Sequence, residues 1–135
     1  MTSIKTAGIL LALVAVAPLG GCFGGGDSSS DRDAVDQVLS DLQSASQDGD
    51  GTRICNEIFT PKLAALVSAS AKSGKCATEV KAKLFSPEAK LDVENIDVPD
   101  GSSATATVKE ANGNVSKVHL VKQSGQWRIR SVTPA

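Results

Sequence analysis

The feature that most limits what this chain can fold into is a change in the spacing of its apolar residues at Lys90. Before that point they recur at three and four, the period of a helix with one buried face; after it they alternate, the period of a strand. Val35, Val38, Leu39 and Leu42 share one helical face, with Asp36, Gln37, Asp41 and Gln43 opposite. Ser30 or Asp31 opens this helix, Asp33 standing three residues after Ser30 as a partial capping box. Asp48-Gly49-Asp50-Gly51 closes it. That acidic turn begins like a calcium loop, but the place of the bidentate glutamate falls on Phe59, so it reads as a helix stop.

A short second helix over 52–59 carries Ile54, Cys55 and Ile58. Thr60-Pro61 is then an N-cap followed by a first-turn proline. The third helix buries Leu63, Leu66 and Val67 and ends at Gly74; a fourth runs from Cys76 to Phe85 with Val80 and Leu84 on one face. From Leu91 the pattern is extended. Leu91 and Val93 have one parity and Ile96 and Val98 the other, which predicts a bulge or bend near Asn95. Ala104, Ala106 and Val108 mark a second strand, Asn112-Gly113 a hairpin turn, Val118 and Leu120 a third strand, and Trp127 and Ile129 a fourth. Helices first and an antiparallel meander second make an α+β domain spanning 31–135.

The first thirty residues belong to none of this. Lys5 precedes an apolar run of about eleven residues, Ala7 to Ala17, where a bilayer span needs ~20. Cationic start, short apolar middle and small residues are the parts of an export signal. Leu19-Gly20-Gly21-Cys22 resembles the lipobox of bacterial lipoproteins, in which the cysteine receives a diacylglyceryl thioether and becomes the first mature residue. The resemblance implies a signal peptide over 1–21, lipidation and palmitate-type acylation at Cys22, and a domain held on the extracytoplasmic face of the cell membrane. Residues 22–30 then form a glycine- and serine-rich tether.

Composition narrows the function classes. One domain of roughly a hundred residues remains after the signal. Formal charge is −1 with acids and bases interspersed, so no basic stripe for nucleic acid is formed; Lys72, Lys75, Lys81 and Lys83 read as a solvated helix face. Tyrosine is absent and Trp127 is the sole tryptophan, leaving no aromatic platform for bases or sugars. Cys55 and Cys76, an even pair in an exported chain, read as a disulfide. A redox pair would show Cys-x-x-Cys spacing, and a zinc site needs more than the single histidine, His119. No cofactor or metal is expected.

The element order, closing on Gly125-Gln126-Trp127-Arg128-Ile129-Arg130-Ser131-Val132, resembles the nuclear-transport-factor-2-like superfamily. More narrowly it is similar to small exported lipoproteins of actinobacteria that share that fold, in which cysteines recur at places matching Cys55 and Cys76-Ala77. The resemblance implies a curved sheet wrapped around helices into a cone, with Val118, Leu120, Trp127 and Ile129 lining a pocket. Ketosteroid-isomerase-like enzymes of the superfamily use an aspartate base with a tyrosine in the oxyanion hole. This chain has no tyrosine, so His119 is the one substitute general base for a hydrolase or isomerase. By alternation His119 lies with Lys117 and Val121, away from Val118 and Leu120, and reads as an exposed sheet residue. The expectation is therefore a non-enzymatic envelope module for a protein or a small apolar ligand.

Overall fold

A computed structural model describes residues 28–84 and 86–135. Residues 1–27, which hold the expected export signal, Cys22 and most of the expected tether, lie outside the described residues. Helix α1 spans Ser28–Asp48, α2 Gly51–Arg53, a π-helix Ile54–Ile58, α3 Pro61–Ser70 and α4 Cys76–Leu84. Strands β1 (Leu91–Asp97), β2 (Ser103–Glu110), β3 (Val115–Gln123) and β4 (Gln126–Pro134) form one antiparallel sheet in the order β1-β2-β3-β4.

The change of period at Lys90 is thus the boundary between the two layers. One face of the sheet supplies Ile96, Ala104, Ala106, Val108, Val118, Leu120, Trp127 and Ile129, and α1 lays Val35 and Leu39 into the same core. Ala104 and Ala106 are the small members of this face, and larger side chains fill in from β3 and β4. The expected bulge is present in β1, where Glu94 is the extra residue between the Val93 and Asn95 pairings. A second bulge sits in β4 at Arg130, between the pairings of Ile129 with Leu120 and of Ser131 with His119. Both lie on edge strands, where an extra residue bends the strand and blunts the open edge.

Four details depart from the sequence reading. Ser28–Ser30, read from the sequence as tether, are already helical in α1. Asp31, offered by the sequence as an opening residue, instead turns its carboxylate into the core. The second helix is split: Phe59 N–H reaches back five residues to the Ile54 carbonyl at 2.8 Å, the π spacing. Phe59 then adopts extended backbone, and Thr60 N–H donates to the Ile129 carbonyl at 2.8 Å, adding a single parallel bridge beside β4. Thr60 caps α3 through its hydroxyl, with Pro61 at the first position, as the sequence indicates. Leu66 is not buried, however, but 59 % exposed, and Leu63 and Val67 are half-buried. Helix α3 is an outer layer, with nothing beyond it among the described residues. Leu84, at the open end of α4, is likewise exposed.

Cys55 and Cys76 are joined, closing a 21-residue separation and tying the π-helix to the first residue of α4. Ser68 Oγ accepts from Cys76 N–H at 3.0 Å, which sets α4 against α3. No described helix is long and apolar enough to cross a membrane.

Candidate functional site

Helical spacing puts Asp31 four residues before Val35, on the stripe that enters the core. Strand alternation puts Lys122 in phase with Val118 and Leu120, and its cross-strand partner in β4 is Trp127. These three side chains meet at the start of α1. Asp31 Oδ1 accepts from Lys122 Nζ at 2.8 Å and from Trp127 Nε1 at 3.2 Å. Lys122 Nζ also stands 5.7 Å from the centre of the indole ring. Asp31 Oδ2 is buried without a hydrogen-bond partner and faces Gly101, where an added Cβ would come within 3.4 Å. The Lys122 hydrogen bond, then that of Trp127, holds the Asp31 carboxyl below its usual value of 3.8, outweighing the opposing effect of burial. A carboxylate kept ionised in this way fastens α1 to the sheet. It is poorly suited to take up a proton from a substrate.

Beside this lock a cleft of about 420 Å³ opens between α1, the π-helix and the start of β4. Ala34, Val38, Ile58 and the indole of Trp127 give it an apolar floor, and Asp41, Arg53 and Glu57 a charged wall. Arg53 Nη2 lies 3.0 Å from Asp41 Oδ1, and its Nε lies 3.8 Å from Glu57 Oε2. Half-exposed pairs of this kind contribute little to stability and remain open to exchange with a ligand's charges. Arg128, at the rim, donates from Nη1 to the carbonyls of Asn56 at 2.7 Å and Phe59 at 3.2 Å. A cation at the carbonyl end of a helix is favourably placed. Arg128 therefore holds the π-helix, and with it Glu57 and Ile58, against β4. A second groove, about 340 Å³, follows the β1 bulge and is lined by Arg32, Asp36, Glu94 and Asn95 among others. No cluster of three or more His, Cys, Asp or Glu side chains suited to a metal occurs among the described residues.

No protein-family model matches the chain, and no curated protein matches it. Two solved structures do. An NTF2-like protein of unknown function from Shewanella baltica OS155 is 20 % identical, covering 79 % of this chain and 97 % of its own, with a TM-score of 0.53. Another from Silicibacter pomeroyi DSS-3 is 15 % identical, with 78 % and 94 % covered and a TM-score of 0.55. The fold is nuclear-transport-factor-2-like. Helices followed by a four-stranded antiparallel sheet is the arrangement shared with these proteins.

Within this nuclear-transport-factor-2-like domain the residues singled out from the sequence separate. Val118, Leu120 and Ile129 do not line a cavity; they are 2 %, 1 % and 0 % exposed and packed as core. Side chains fill the space between sheet and helices where the resemblance implied a pocket. Trp127 alone of the four reaches the cleft. His119 lies on the far face of the sheet, with Nδ1 3.3 Å from the Thr105 hydroxyl and Nε2 3.3 Å from that of Thr133. Its ring thus sits between two hydroxyls on the opposite side from the cleft. Asp92, Glu94 and Asp97 are solvent-exposed, as alternation indicates. The sequence reading missed Asp31, Lys122 and Arg128. The first two were within reach of the same periodicities that located the core.

Proposed function

We propose that the protein is a lipid-anchored, extracytoplasmic binding module that takes a small amphipathic ligand, or a partner's side chain, in the cleft between α1, the π-helix and β4. The observation that carries the reading is the lining of that cleft: an apolar floor beside a wall that carries charges of both signs. Asp41 and Glu57 face Arg53, and Arg128 stands at the rim, so the charges of a zwitterionic or dipolar ligand find partners of both signs. The earlier expectation of an apolar ligand is narrowed accordingly, since the apolar interior is occupied by the core. Anchoring rests on the short apolar run and on Leu19-Gly20-Gly21-Cys22. That reading keeps the domain close to the lipid surface.

Native mass spectrometry of the protein released from its own membrane tests the binding role. A co-eluting small molecule that Val38→Trp displaces, with the fold unchanged by circular dichroism, is the expected result. A bound molecule indifferent to Val38→Trp and Trp127→Phe would remove the cleft from consideration. Cys22→Ala tests the anchor separately and should shift the chain out of the membrane fraction.

A further inference from the structure

We propose that the α3–α4 hairpin is a membrane-contact surface in its own right, docking on anionic phospholipid headgroups. Charge is distributed unevenly over the fold. Residues 60–84 hold five lysines and one acid, while the other described residues hold eight cations and thirteen acids. The one acid, Glu79, is engaged by Lys83 at 2.7 Å. Lys62, Lys72, Lys75 and Lys81 are exposed and enter no ion pair among the described residues. Four unneutralised ammonium groups therefore project from one hairpin on a chain whose remaining charge is net negative.

The same hairpin exposes apolar side chains. Leu66 and Leu84 are 59 % and 40 % exposed, and Val132 is the one other large hydrophobic residue exposed to this degree among the described residues. On α3 the outward stripe is Lys62, Ala65, Leu66 and Ala69, neighbours at three and four on a helix that has no fully buried residue. Lysines beside outward leucines distinguish a bilayer from a soluble polyanion. A polyanion would satisfy the ammonium groups and leave the leucines in water. An anionic leaflet takes both, the charges at the headgroups and the leucines at the acyl boundary. The surface is also rigid before it binds. Cys55–Cys76 and the Ser68 Oγ contact to Cys76 N–H fix the two helices, so little ordering remains to oppose docking. Nothing in this arrangement depends on acylation of Cys22.

Lysine footprinting of the full chain tests the proposal. The protein is mixed with vesicles of phosphatidylcholine, or of phosphatidylcholine and phosphatidylglycerol in equal parts, and treated with an amine-acylating reagent. Labelling of Lys72, Lys75 and Lys81 should slow several-fold on the anionic vesicles only, and the protection should fade with added salt. Lys109 and Lys117, in β2 and β3, should label equally on both. Leu66→Gln should weaken the protection. Lys72→Gln with Lys75→Gln should return Lys81 to its rate on phosphatidylcholine, since each lysine near an anionic surface is worth about a fivefold change in occupancy. Equal labelling on the two vesicles would overturn the proposal, as would equal protection of Lys109 and Lys117. Protection by soluble polyphosphate that Leu66→Gln leaves intact would assign the hairpin to a polyanion instead.

Discussion

At its first turn α1 is fastened by ionic and polar side chains from the sheet; at its last turns it is fastened by amides, by close backbone packing and by a covalent staple next door. Asp31, Lys122 and Trp127 make the first junction. At the other end Gln43 Oε1 accepts from Leu91 N–H at 2.7 Å, and Gln47 Nε2 donates to the Ala89 carbonyl at 2.6 Å. Ser86 N–H reaches the Ser46 carbonyl at 3.2 Å, and Gly51 lies directly against the Ala77 backbone of α4. The second junction contains no titrating group, whereas the first is built around one. The cleft lies nearer the first. The contrast teaches that the end beside the cleft is held by contacts that pH can alter, and the far end by amide and backbone contacts that take up no proton.

The largest expected effect is on the stapled side. Replacing Cys55 and Cys76 together by serine should lower stability by ~3 kcal/mol on the chain-entropy account of a loop of this size. Urea unfolding measures it, and hydrogen exchange locates it: protection should fall in the π-helix and α4 while β2 and β3 keep theirs. Uniform loss across the sheet would mean that the two junctions are not independent. Gly51→Ala comes next. A Cβ there collides with the Ala77 carbonyl, a backbone atom that cannot swing aside. Forcing α2 from α4 should cost about 1–3 kcal/mol, read as a shift in the urea midpoint. An unchanged midpoint would show that the close approach holds nothing.

These contrasts also mark what the sequence could carry. Strand alternation placed Val118, Leu120, Trp127 and Ile129 inward and His119 outward, and it located the Glu94 bulge, because a period of two leaves no freedom about which face a residue takes. The helical half was less legible. Leu63, Leu66 and Val67 read as a buried stripe, yet α3 is an outer layer, and no local signal says how many layers a fold has. The π-turn at Ile54–Ile58 was invisible for a similar reason, being set by the tertiary bridge of Thr60 to Ile129. Asp31 was hidden by its own plausibility: an acid in a first helical turn already has an explanation in the helix dipole. Its position four before Val35, and Lys122 in phase with Leu120, were the available signs. The cleft needed three separated segments brought together, and spacing within any one of them does not encode that.

A smaller effect is expected at the charged junction. Trp127→Phe removes the indole donor to Asp31 while keeping an aromatic ring over the core, and should cost about 1 kcal/mol. Asp31→Ala leaves the buried Trp127 N–H without its acceptor and should loosen the first turns of α1. Amide exchange over 28–34 is the readout, with α4 unaffected. Should Asp31→Ala instead raise exchange in α4, the two ends would be one cooperative unit.

The smallest change at neutral pH, and the one that most directly separates the ends, is their response to acid. The folded Asp31 carboxyl lies below 3.8, held there first by Lys122, and Asp100 is lowered to about 2 by the Ser102 and Ser103 amides and hydroxyls. A carboxyl that is harder to protonate folded than unfolded contributes fully above its unfolded value and loses that contribution as pH falls through the folded one. Stability should therefore be level from neutral pH down to about 4 and decline below it, the Asp31 share first fraying α1 at Ser28–Ala34. Asp31→Asn keeps an oxygen for the Trp127 donor but removes the charge, so it should start less stable and fall less steeply. The residual slope then includes Asp100, and Asp31→Asn with Asp100→Asn should flatten it further. Through the same range exchange at the Gln43–Leu91 and Gln47–Ala89 contacts should stay parallel to global unfolding, since nothing there takes up a proton. An identical acid slope in Asp31→Asn would show that Lys122 and Asp31 meet without being energetically coupled. The first turn of α1 would then be held, like its last turns, by contacts that do not titrate.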